Sequence, residues 1–294
     1  MAKQYRTAGG VTFDIFNYVF LGLIGIVAII PFIFVVSGSF ATEAEITQRA
    51  VFLIPTTFSL DAYRFIFSTD TIVNSIGVSV YVTVVGTIVN LFCTVTMAYP
   101  LAKKQLMGRN LILNLIIFTM LFSGGMIPTY LVIRELNMLD SLNALIYPAA
   151  ISAFNLIIVK NFFQELPIEM EEAAKIDGCT ELGLLWRIVL PLSKPVLATF
   201  TLFYAVGHWN NFFSALLYIN DPSKWPLQVI LRQIVMLSQS AAGDLSSMDP
   251  NFVQPPDQAV KMAVIVVGTV PIMLVYPFLQ KHFAKGVMLG SVKG

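Results

Sequence analysis

Long apolar runs separated by short polar ones set the pattern of this chain. Six stretches, residues 15–37, 71–101, 111–133, 141–159, 195–220 and 262–280, contain no Asp, Glu, Lys or Arg. A helix rises about 1.5 Å per residue, so about 20 apolar residues cross the roughly 30 Å hydrocarbon core of a bilayer. Each stretch has that reach. Within lipid only helices and closed barrels satisfy their backbone, and the two-residue alternation of barrel strands is missing here. The pattern predicts an all-α integral membrane fold of six transmembrane helices.

Composition agrees: 56% of the 294 residues are hydrophobic, 12% are charged and the mean hydropathy is +0.77. A soluble domain carries roughly 25% charge. The net charge of +1 argues against nucleic acid as a partner. Basic residues collect in alternate loops. Lys3, Arg6, Lys103, Lys104, Arg109, Lys160, Lys175, Arg187, Lys194, Lys281, Lys285 and Lys293 fall on one side, and Arg49, Arg64, Arg134, Lys224, Arg232 and Lys261 on the other. Basic loops stay in the cytoplasm, which places both termini there. The polar start followed by an apolar run without a cleavage pattern predicts a retained first span. Cys93 in an apolar run and Cys179 in a polar loop are not expected to pair.

The expected organisation is a cytoplasmic segment 1–14 and a six-span domain 15–294. That domain includes a cytoplasmic loop 160–194, a long external loop 221–261 and a cytoplasmic tail 281–294. External loop 38–70 is also long enough to hold structure. In the second external loop, 227–237 reads as a short surface helix, and Gly243, Pro250, Pro255 and Pro256 interrupt regular structure beyond it.

Loop 160–194 is the best specified polar segment. Pro167 suits the first turn of a helix, and Glu169, Glu171 and Glu172 place negative charge at the positive end of its dipole. Ala173 and Ala174 permit close approach of another surface, and Gly178 is placed for a left-handed C-cap. Thr180 caps a second helix whose Leu182, Leu185, Trp186 and Val189 recur as one apolar face, before Pro191 and Pro195 lead into the fifth span. The pattern predicts a helix-turn-helix that either docks a partner or rests on lipid headgroups.

Glu172-Ala173-Ala174, Asp177-Gly178 and Ile188-Val189-Leu190-Pro191 resemble the EAA motif of ATP-binding-cassette (ABC) importer permeases. That resemblance implies a type I ABC importer permease fold. Glu172, Ala173, Ala174, Asp177, Gly178, Leu190 and Pro191 would then couple the chain to a cytoplasmic ATPase. The chain lacks a Walker A loop. It would be a transport subunit without catalytic residues, metal or cofactor of its own, while ATP and Mg would be bound by two partner ATPase subunits.

Similarity to the carbohydrate-uptake branch, of the maltose permease G type, runs from the first span to the last residue. It implies that Gly290, Val292, Lys293 and Gly294, with Gly286, form a tail contacting the ATPases. Residues 122–130, Trp209-Asn210 and Lys224-Trp225-Pro226-Leu227 resemble the oligosaccharide permeases of the lipoprotein-like C and alginate-permease type. The implied protein imports oligo- or polysaccharide across the bacterial inner membrane by alternating access. Its implied partners are a second permease chain, the ATPases, an extracytoplasmic solute-binding protein and membrane lipid.

Candidates for the translocation path are Tyr130, Tyr147, His208, Trp209, Asn210 and Asn211. The tyrosines either stack on sugar rings or belt the membrane interface. In helical projection His208, Asn211 and Ser214 share a stripe that faces either an aqueous path or a neighbouring helix. Gly124, Gly125 and Pro128 mark either a gate hinge or a close helix contact. The spans carry no carboxylate, which disfavours an ion-coupled secondary transporter. Within the importers, peptide or polyamine is the alternative cargo.

Overall fold

The computed structural model describes residues 8–49, 52–240 and 258–290. They divide into two compact units, Met1–Thr69 with Gln233–Thr269, and Asp70–Arg232 with Val270–Gly294.

In the first unit, helix α1 (Ala8–Ser39) is apolar around its whole circumference and leaves it exposed. A helix without a polar face needs lipid or another apolar surface around it. Gly38 lets α1 approach the start of the last helix closely, since a Cβ there would lie 2.0 Å from Met262 Sδ. The segment after α1 is ordered, as its length suggested. It contains α2 (Glu43–Gln48) and α3 (Asp61–Ser68). Phe40 stacks on Phe58 at 5.2 Å, and Ser39 Oγ and Tyr63 OH lie 2.8 Å apart.

Buried Glu45 fastens this segment. Its carboxylate accepts hydrogen bonds from the Thr56 hydroxyl (2.6 Å), the Thr56 amide (2.8 Å) and the Thr57 amide (3.0 Å), with Arg49 Nη1 at 3.4 Å. The Thr56 hydrogen bonds dominate in holding its pKa down to about 2.

The second unit is built on α4 (Asp70–Ala102), packed against α8 and α12. Between α4 and α8 come α5 (Arg109–Leu121), α6 (Met126–Glu135) and α7 (Asn143–Ile146), then α8 (Ala153–Gln164). Next are α9 (Ile168–Ile176), α10 (Glu181–Leu184), a wide π-type turn over Leu185–Val189, and α11 (Leu190–Leu192). Helices α12 (Lys194–Trp209) and α13 (Phe213–Tyr218) follow, and α14 (Leu227–Ser240) up to Arg232 and α15 (Gln258–Gly290) from Val270 also belong to this unit. The short helix expected at 227–237 is α14. One apolar core joins Ala98, Leu156, Val159, Val189 and Phe200, and another joins Val82, Ile133, Leu145, Ala215 and Val229.

Three of the six expected spans are not single straight helices. Three described helices are each long and apolar enough to cross a bilayer, and the count reaches six when three bent pairs are included. Span three bends by 116° between α5 and α6. Gly125 there has φ +85°, a conformation that costs other residues strain, and Pro128 falls in the first turn of α6, where an amide has no intrahelical acceptor to lose. Span four bends by 50° where a 3₁₀ turn at Tyr147–Ala149 meets the Ser152 cap of α8. Span five enters through an 82° bend at Ser193 and stops at Trp209. Asn211 Oδ1 then accepts the Ser214 amide, a local bond that competes with continuation of the helix.

The α4–α12 contact is polar for a membrane fold. Thr94 Oγ1 and Tyr204 OH lie 2.8 Å apart, and His208 Nε2 lies 2.6 Å from Asn90 Oδ1. Lipid is as apolar as leucine, so such bonds and close backbone approach take over the selectivity that apolar burial supplies in water. Gly86 completes the fit, because a Cβ there would sit 2.5 Å from His208 Nε2. Cys93 and Cys179 are free thiols.

Candidate functional site

Helix α9 begins after Pro167 and ends at Asp177, within a residue or so of the expected limits. Gly178 adopts φ +78°; its amide donates to Lys175 O (3.0 Å) and the Cys179 amide donates to Ala174 O (2.9 Å). Those two bonds form a Schellman closure. Two residues on, Thr180 Oγ1 accepts the Gly183 amide at 3.2 Å and caps α10 as expected.

The second helix departs from the expected single apolar face. Leu185 and Val189 are buried with Leu184, whereas Leu182 and Trp186 are 71% and 61% exposed. The π-type turn over Leu185–Val189 inserts an extra residue and shifts Trp186 and the side chains after it away from ideal helical phase, whereas Leu182 lies before it in the first turn of α10.

Glu172 and Ala173 are exposed on α9, Ala174 is half-buried, and Asp177 and Gly178 are exposed. Ile176 is 86% exposed, and Ile168 and Met170 are also uncovered. An exposed acid set among apolar side chains on a short, rigidly capped helix is suited to insertion into a protein cleft. Leu190 is half-buried and Pro191 exposed at the end of the element.

The neighbouring acids behave differently. Glu171 pairs with Lys103, which also lies 4.6 Å from the centre of the Tyr99 ring. Glu181 accepts a hydrogen bond from Tyr99 OH at 2.8 Å and pairs with Lys175 at 2.7 Å. The Lys175 and Tyr99 hydrogen bonds, in that order, lower the Glu181 pKa, and the same carboxylate raises that of Lys175. The sequence reading placed Glu171 at the start of the helix and Lys103 in a basic loop, but it missed their pairing and the contact of Tyr99 with Glu181. Partners 68 and 82 residues apart leave no periodic signal in a single sequence.

The path candidates do not form one stripe. His208 is buried against Asn90, whose Nδ2 donates to Ala149 O, so the structure places this histidine in a helix–helix contact. Trp209 is buried, Asn210 exposed and Asn211 half-buried at the break after α12. Tyr130 stacks on Tyr218 at 6.2 Å. Exposed Tyr147 lines a cavity of about 380 Å³ with Pro128, Thr129, Met138 and Pro148. Near Trp225, Lys224 Nζ reaches Asp140 O (2.9 Å), while the Asp221 and Asn220 amides, in that order, lower the Asp140 pKa by hydrogen bonding. Of the tail candidates, Gly290 ends α15, and Val292, Lys293 and Gly294 lie outside the described residues, as do Gly243, Pro250, Pro255 and Pro256.

A multi-span helical fold with a capped helix-turn-helix between its fourth and fifth spans is the arrangement that the resemblance to type I ABC importer permeases implied. Residues 81–289 match the family described as binding-protein-dependent transport system inner membrane component, and the chain belongs to that family. It is 62% identical to Protein LplC of Bacillus subtilis (strain 168), over 99% of this chain and 98% of that one. It is 58% identical to the polygalacturonan/rhamnogalacturonan transport system permease protein YtcP of the same organism, over 96% and 98% of the two chains. A solved bacterial ABC transporter involved in the import of the acidic polysaccharide alginate contains a chain that is similar with a TM-score of 0.86 and 34% identity. That match covers 96% of this chain and all of the solved one.

Proposed function

We propose that this chain is one of two permease halves of an ABC importer for acidic, uronate-containing oligo- or polysaccharides, with both termini in the cytoplasm. The observation that carries the transport reading is α9, which offers exposed Glu172 and Ala173 on a face without a partner among the described residues and is closed behind by Gly178. That face docks in a cytoplasmic ATPase subunit. Two such subunits bind ATP and Mg, and their approach rocks the permease pair between outward and inward access. A solute-binding protein delivers cargo to the opposite side. The similarity to permeases named for polygalacturonan and alginate supports an acidic saccharide.

The test is uptake by proteoliposomes that contain the permease pair, its ATPase and its binding protein. Oligogalacturonates should be taken up, and uptake of peptides or polyamines without any saccharide would reject the cargo. Glu172→Lys should abolish uptake and the ATPase stimulation caused by loaded binding protein, with membrane insertion intact. Normal transport by that variant would remove Glu172 from coupling.

A further inference from the structure

The C-terminal end of α4 is gripped from three successive elements. Gln164 Nε2 of α8 donates to Ala102 O at 3.1 Å and is itself held by Lys160 at 2.9 Å. Glu171 of α9 pairs with Lys103 immediately beyond α4. Glu181 of α10 accepts from Tyr99 on the last turns of α4. Arg109 Nε closes the same end by donating to Leu101 O at 2.8 Å, where a cation also meets the negative end of the helix dipole. The residues before, within and after α9 are thus all tied to one helix end.

Helix α4 then runs for 33 residues, about 50 Å at 1.5 Å per residue. At mid-length its Asn90 and Gly86 receive His208 of α12, and near its other end Ser79 Oγ accepts the Leu227 amide at 2.8 Å while Asn74 donates to Ser223 O. A displacement of its C-terminal end therefore reaches both α12 and the 223–227 turn through direct hydrogen bonds.

We infer that Tyr99, Lys103, Glu171 and Glu181 are positioning residues that form a strut fixing the coupling element to α4, so that α4 moves with α9 as the lever of the transport stroke. The inference rests on the coupling reading of α9. It divides the labour of two adjacent acids: Glu172 faces the ATPase, and Glu171 passes the motion inward. Lys103 serves both prongs, as the partner of Glu171 and as a cation against the Tyr99 ring whose hydroxyl holds Glu181.

The experiment uses the full reconstituted transporter and reads saccharide moved per ATP hydrolysed. Glu171→Gln combined with Glu181→Gln should keep assembly and stimulated ATPase activity while the transport ratio falls about tenfold, within the usual range of coupling effects. The charge swap Lys103→Glu with Glu171→Lys should recover most of the ratio in a background that keeps Glu181. An unchanged ratio in the double variant overturns the strut. If Glu172→Lys abolishes uptake while the double variant transports normally, the strut fails and the docking reading stands; if Glu172→Lys is itself silent, the docking reading fails. Should the double variant not assemble, a short bismaleimide between Lys103→Cys and Glu171→Cys, with Cys93 and Cys179 replaced by Ser, decides. Transport that survives the cross-link supports joint motion, and transport that stops on cross-linking overturns it.

Discussion

Two polar segments of this chain are each organised by carboxylates, and they are built in opposite ways. At residues 42–57, buried Glu45 gathers donors that all lie within 12 residues of it. At 168–184, Glu171 and Glu181 are only partly shielded and reach partners 68 and 82 residues away. The first closes a loop on itself, and its strength depends on burial. The second joins separate elements and stays open to water, which suits the role of a moving joint proposed for it. A staple should be insensitive to salt and sensitive to protonation, and a joint should respond to both salt and geometry.

The largest effect expected is at the staple. Glu45→Gln leaves one charged acceptor fewer for the Thr56 hydroxyl and the Thr56 and Thr57 amides, and protection of residues 52–58 against hydrogen exchange should collapse. The pH dependence has a definite sign. Because the folded pKa is depressed from 4.5 to about 2, the contribution is present above the ordinary value and is lost as pH falls through that interval. Exchange corrected for intrinsic rates should rise in the native chain between those limits and be flat in the variant. A native profile without that rise would remove Glu45 as the staple.

Next in size is Gly86→Ala, which drives a methyl into the His208 ring and should cost about 1–3 kcal/mol, as overpacking does. It tests whether the lever is rigid at mid-length as well as at its end. Loss of thermal stability in detergent, partly relieved by adding His208→Ala, is the expected outcome. Equal melting of Gly86→Ala and the native chain would show that the close approach is not maintained.

The two segments also differ in how far they could be read from sequence. Pro167, Gly178 and Thr180 bounded the helix-turn-helix at 168–184 correctly because helix start, left-handed stop and cap are local rules acting over three or four residues. The helix breaks at 122–125, 150–152 and 210–212 do not show in a length count, since apolar composition continues through each of them. Gly124, Gly125 and Pro128 were marked as a place where the chain could bend, and it does. Asn211 instead was projected onto a continuing helix, while its side chain accepts the Ser214 amide in the first turn of the next one. For His208 a neighbouring helix was one of two options, but Asn90, 118 residues away, was out of reach of any spacing argument.

Gly178→Ala probes the joint's geometry. A Cβ at φ +78° costs about 1–2 kcal/mol, and the strain should be confined to 168–184 because no neighbouring atom lies within 4 Å of the added carbon. ATPase stimulation by loaded binding protein should fall while insertion and the 52–58 staple are unchanged. If exchange protection of 52–58 changed as well, the two segments would not be independent.

The smallest effect separates the two designs most directly. At about 1 M salt the Debye length shrinks to about 3 Å, which weakens partly exposed ion pairs far more than buried bonds to neutral donors. The Lys175–Glu181 pair is about half exposed, whereas the Glu45 side chain is 5% exposed and most of its donors are hydroxyl or amide groups. High salt should therefore raise exchange modestly in 168–184 and leave 52–58 where it was. An equal response in both segments would mean that the helix-turn-helix at 168–184 is held by its caps and core contacts alone, and that the charges around Lys103 contribute little to fixing it on α4.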